Sequence, residues 1–133
     1  MAEHGNRLHH VRGDSLSGTT AQTTGMTRFA AISGGAVGAQ ALWMGRSHVA
    51  PLGNSGAHHH GESETGIFVV SGRPVFIYQE DGREVRVEAA PGDFIYVPPF
   101  VHHMETNPSP DEAAVVVLAR TTQEAIVVNL DKL

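Results

Sequence analysis

The sequence predicts an all-β domain, a sandwich or barrel of antiparallel strands. Three observations carry this expectation. Apolar runs rich in Val, Ile, Phe and Tyr recur along the chain at the spacing of about 8 to 12 residues expected of such folds. Turn dipeptides such as Asp81-Gly82 and Pro91-Gly92 cut them apart. Helical periodicity is wanting: only residues 111–114, after Ser109-Pro110, read as a helical turn, and they lead straight into the β-branched Val115-Val116-Val117.

In chain order, residues 1–25 are Gly-, Thr- and His-rich and read as a polar N-terminal arm, and residues 26–133 as one domain. Strands are expected over 26–32, 39–49, 66–70, 75–78, 84–89, 93–97, 113–119 and 124–130. The clearest hairpin flanks Glu80-Asp81-Gly82-Arg83, where Asp-Gly suits the positive φ of a tight turn. Beyond it Val85 and Val87 alternate with Arg86 and Glu88, giving that strand one buried and one wet face.

Composition removes several function classes. The 133 residues contain no cysteine, so thiolate and disulfide chemistry are excluded and any metal must be held by nitrogen and oxygen. A net charge of −5 without a Lys/Arg cluster speaks against nucleic acid. There is no long apolar window and no hydrophobic segment near the N-terminus, so neither a membrane span nor a secretory signal is expected, and the protein reads as cytoplasmic. The single lysine, Lys132, leaves no interior candidate for Schiff-base chemistry. Exposed sheet edges in a domain of this size, with the run at 26–32 free to pair with a neighbour, point to a homodimer.

The stretch from Ala57 to Gly72, AHHHGESETGIFVVSG, concentrates the chemistry. Side chains alternate in a strand, so His58 and His60 share a face and His59 points away. Two imidazoles on one face suit a divalent first-row metal, and Glu64 can supply a carboxylate; Glu62 is its rival, disfavoured by the turn that Gly61 and Ser63 suggest. Downstream, GDFIYVPPFVHHMETN over residues 92–107 runs from a turn through a strand and a double proline into a second histidine pair, a source for a fourth ligand.

Together these stretches resemble the cupins. The first cupin motif, G-x5-H-x-H-x3,4-E-x6-G, maps onto Gly53, His58, His60, Glu64 and Gly72, with one residue fewer before His58 and one more before Gly72. The second, G-x5-P-x-G-x2-H-x3-N, maps onto Gly92, Pro98, His103 and Asn107 at its own spacing, with Phe100 in place of its last glycine. The resemblance implies a cupin-type jelly-roll β-barrel of two Greek keys. It further implies one divalent metal ion per chain on His58, His60, Glu64 and His103, with Fe(II) the first choice and Mn, Ni, Cu, Co or Zn as others. The activity it implies is oxygen-dependent, dioxygenase-like chemistry on a small molecule. Alternatives are metal-assisted isomerisation or decarboxylation, and a non-catalytic binding or sensing cupin.

Other residues carry plainer readings. His59 and His102 belong to solvent or to the surroundings of the site, and His4, His9 and His10 to a polar arm. The aromatic residues are most simply core, and those expected to line a substrate pocket are Tyr96, Phe100, Phe68 and Trp43. Arg28, Arg46, Arg73 and Arg120 read as an outer solvated face; any that turned inward would be a carboxylate anchor.

Overall fold

The computed structural model describes residues 6–20, 22, 23, 25–123 and 126–133. Among the described residues, ten strands form two antiparallel five-stranded sheets that pack as a jelly roll. The strands are β1 (Met26–Ile32), β2 (Trp43–Val49), β3 (His58–His59), β4 (Thr65–Ser71), β5 (Val75–Glu80), β6 (Arg83–Glu88), β7 (Phe94–Val97), β8 (His103–Thr106), β9 (Ala114–Arg120) and β10 (Val128–Asn129). One sheet has the order β1-β2-β9-β4-β7 and the other β10-β3-β8-β5-β6. Alternation does the sorting: β2 and β9 each turn every second residue inward, and Trp43, Ile67, Val69, Phe76, Val116 and Leu118 meet between the sheets.

The expected hairpin forms, with Glu80 paired to Arg83 across a two-residue loop in which both Asp81 and Gly82 have positive φ. The helix does not fall where expected. Residues 111–114 stay non-helical, because the Ser109 hydroxyl takes the Asp111 and Glu112 amides and the chain then enters β9. A one-turn helix α1 (Gly34–Val37) forms instead. It is capped by the Ser33 hydroxyl, which accepts from the Ala36 amide, and ended by Gly38 in the left-handed region. This turn delays the strand expected over 39–49 to Trp43. The run expected over 124–130 narrows to Val128–Asn129, with 124 and 125 outside the described residues.

Part of the polar arm is tied to the first sheet. Ser17 exchanges backbone hydrogen bonds with Ala30, and Gln22 accepts from the Arg28 amide at 2.7 Å and donates to its carbonyl at 3.1 Å. The edge of β1 that the sequence offered to a neighbour is therefore covered from within the chain.

Two backbone ties bring the motifs together. His58 of β3 pairs directly with His103 of β8, and the Phe100 amide donates to the Gly61 carbonyl at 2.8 Å. Phe100 has φ +61°, so the backbone keeps the left-handed turn at the place where the cupin pattern has glycine.

Candidate metal centre

His58, His60 and His103 converge. One ring nitrogen of each lies within 4.8 Å of the other two, and the ring centroids are 4.4 to 5.2 Å apart. Register explains the His58–His103 contact, and parity carries His60 to the same side as His58. Each Nδ1 is held by a backbone carbonyl: Gly56 for His58 at 2.9 Å, Ile126 for His60 at 2.8 Å and Val101 for His103 at 2.9 Å. A carbonyl only accepts, so every Nδ1 carries the proton and every Nε2 keeps its lone pair. Burial, aided by the neighbouring cationic groups, pushes His58 down to about 3 and His60 to about 4, and lowers His103 as well. Three neutral imidazoles with free Nε2 atoms are the donor set that a divalent first-row ion takes.

The carboxylate expected at Glu64 lies elsewhere. Glu64 is exposed and accepts a 2.6 Å hydrogen bond from the Tyr96 hydroxyl, while the next residue, Thr65, is buried and turns inward at the start of β4. The cause is parity. The motif allows three or four residues between its second histidine and its glutamate; counting four puts Thr65 at that position and restores the six-residue step to Gly72. Glu62 is also exposed. His59 and His102 lie apart from the cluster, stacked on each other with centroids 5.3 Å apart.

The expected pocket residues scatter. Trp43 is buried in the core, and Phe68 faces outward against Phe94 with ring centroids 4.9 Å apart. Phe100 is exposed, its ring 5.9 Å from that of His59. Tyr96 is also exposed but borders an apolar chamber of about 400 Å³, walled by Phe76, Tyr78, Val87, Ile95 and Val101 and reached by His103. That volume falls in the range of small-molecule sites.

Three interior residues were missing from the expected site. Arg28, Glu105 and Arg120 are all buried and border, with the three histidines, a small cavity of about 20 Å³. Burial holds the Glu105 carboxyl up at about 7, against the pull of Arg28. The signal was available: Glu105 follows His103 by two residues, so a face that buries one buries the other. Likewise Arg28 and Arg120 share their strand faces with the buried Ala30 and Leu118.

Solved structures share this architecture. An oxalate oxidase superposes with a TM-score of 0.76 at 18% identity, over 98% of this chain and 67% of that one. The polyketide cyclase RemF from Streptomyces resistomycificus gives 0.75 at 20% identity, over 93% and 86%. Oxalate decarboxylase from Bacillus subtilis gives 0.69 at 18% identity; the match covers 82% of this chain but spans only 28% of that one. At such identities the likeness is one of fold. No curated protein sequence matches the chain significantly. The description of the cupin domain family, however, matches residues 45–119, more than half the sequence, and the chain therefore belongs to the cupin family.

Proposed function

We propose that this protein is a metal-dependent cupin enzyme that oxidises a small organic molecule with dioxygen, with His58, His60 and His103 holding one divalent ion, Fe(II) first and Mn, Ni, Cu, Co or Zn as the other choices. The observation that carries the reading is the cluster of three imidazoles, one ring nitrogen of each within 4.8 Å of the other two and each Nδ1 held by a backbone carbonyl. When bound, such an ion supplies a Lewis acid with open positions for substrate and dioxygen. The chain's own residues do the rest. The imidazoles stay neutral because their cavity is buried, the chamber beside His103 presents apolar walls that exclude water, and Glu105 stands ready to hold a proton next to the histidines.

Metal-assisted decarboxylation is the second reading, supported by the fold it shares with an oxalate decarboxylase and by the same buried Glu105. The protein is also proposed to be a homodimer. The outer face of the first sheet presents Val70, Phe94 and Tyr96 to solvent, and a second copy would cover them. Among the described residues no helix is long and apolar enough to cross a membrane.

The test is elemental analysis after reconstitution, followed by assays with and without dioxygen. About one ion per chain, lost in His60→Ala, supports the centre; turnover that stops without dioxygen supports the oxidase reading, and turnover that continues supports the decarboxylase. A protein that takes no metal at neutral pH refutes both.

A further inference from the structure

The three imidazoles are oriented by unlike means. His58 and His103 take their Nδ1 acceptors from carbonyls two residues upstream, Gly56 and Val101, so each brings its own support. His60 takes its acceptor from Ile126, 66 residues away, at 2.8 Å. One ring of the cluster therefore depends on a segment that lies outside both cupin motifs, which span residues 53–72 and 92–107.

That segment is lightly held. None of residues 126–130 is buried, and Val128 is 42% exposed. β10 pairs with β3 through two residues, Val128 with His59 and Asn129 with His58, and it stands at the end of its sheet, so among the described residues β3 is its one strand partner. The Leu130 amide adds a bond to the Ala57 carbonyl at 2.9 Å. Ile126 lies close against Gly61: a Cβ added there would meet its Cγ2 at 3.0 Å, and Gly61 has φ +57°, so the residue after His60 is suited to this approach. A sheet-edge stretch with few buried apolar contacts opens locally at a small fraction of the cost of global unfolding. When it opens, His58 and His103 keep their own carbonyls, whereas the His60 ring is free to turn and to move its proton between nitrogens.

We propose that residues 126–130 are a latch on the candidate metal centre, with Ile126 as a positioning residue. Seated, the segment fixes His60 with its proton on Nδ1 and its Nε2 lone pair offered to the ion; unseated, it leaves two fixed imidazoles, which hold an ion less tightly. The inference rests on the metal reading for the ion, while the dependence of His60 on this segment belongs to the chain. Loss of a group that orients a metal ligand costs about 10- to 100-fold in metal affinity. Coupling is reciprocal, so bound metal must hold the latch shut by the same factor.

The test uses the full chain and zinc. In the wild type, hydrogen exchange at the Leu130 amide is expected to slow about tenfold or more on saturation with zinc, while exchange at the Arg83 amide, in the hairpin at the far end of the same sheet, stays unchanged. The double variant Val128→Pro/Leu130→Pro removes the Leu130 donor and, two residues back on the same side of the strand, that of Val128. Its zinc affinity is expected to fall about tenfold or more. Nitrogen NMR of the metal-free variant is expected to show His60 losing its Nδ1-protonated form while His58 and His103 keep theirs. Exchange at Leu130 that ignores zinc, or a folded variant with wild-type zinc affinity and an unchanged His60 tautomer, overturns the latch. Should the variant not fold, exchange in the wild type decides alone. A wild type that takes no zinc overturns the metal reading and the latch with it, whereas zinc binding indifferent to this segment overturns the latch alone.

Discussion

Metal affinity is expected to survive acidification that would strip an ordinary histidine site. At pH 5 an imidazole of ordinary pKa is about 97% protonated, so proton competition at three such ligands would weaken binding by about 30,000-fold relative to full deprotonation. In this cavity His60 titrates at about 4 and His58 at about 3, since burial, and then neighbouring cationic groups, resist charging them. At pH 5 they are therefore about 10% and 1% protonated, a combined cost of about 1.1-fold. His103 is lowered too, so it costs less than the roughly 30-fold of an ordinary imidazole. Zinc affinity is thus expected to fall less than about 30-fold between pH 7 and pH 5. The assay is equilibrium dialysis against zinc with elemental analysis of the retained metal, circular dichroism confirming the fold at each pH. A loss of 1,000-fold or more in folded protein would refute the reasoning, because it would require imidazoles that protonate as if in water.

The same shifts govern the metal-free protein. Between about pH 3 and 6.5 the unfolded chain binds more protons at His58 and His60 than the folded one, so stability falls as pH drops through that window. Glu105 opposes this, its contribution being present below about 4.5 and lost as pH rises through 7, but it is one group against two; a melting temperature that rose from pH 6.5 to 4.5 would contradict the balance. Glu64→Ala is expected to leave metal content unchanged by elemental analysis, whereas His60→Ala abolishes it. Asn107→Ala should cost about 2 to 4 kcal/mol in urea unfolding, because the buried Nδ2 serves the carbonyls of Val49 and Glu112 at 3.1 and 2.7 Å. Light scattering should report a dimer, and Phe94→Asp should shift it toward monomer.

What the sequence disclosed follows from period and turn chemistry. The Asp81-Gly82 hairpin, the inward parity of His58 and His60 and the spacing that brings His103 to them were legible because each depends on a local rule. Glu64, expected beside the histidines, faces solvent while Thr65 turns inward, and in a strand one residue is a whole face. Counting back from Gly72 instead of forward from His60 would have found Thr65. Arg28, Glu105 and Arg120 were passed over because charged residues in strands usually face water, although each sits at the buried parity of its strand. Helix α1 was hidden by its glycines, which read as loop while Ser33 supplied the cap.

The hydrogen bond from His60 to the Ile126 carbonyl joins residues 66 apart in sequence, and the adjoining β10 is the partner that β3 has on its other edge. A nascent chain that has emerged only as far as β9 already carries all three histidines, yet one ring has nothing to fix its tautomer and β3 has half of its ladder. Closure of such a distant contact comes late in folding. If the centre holds metal as proposed, its third imidazole is fixed for the ion only once the segment carrying Ile126 and β10 has docked beside β3.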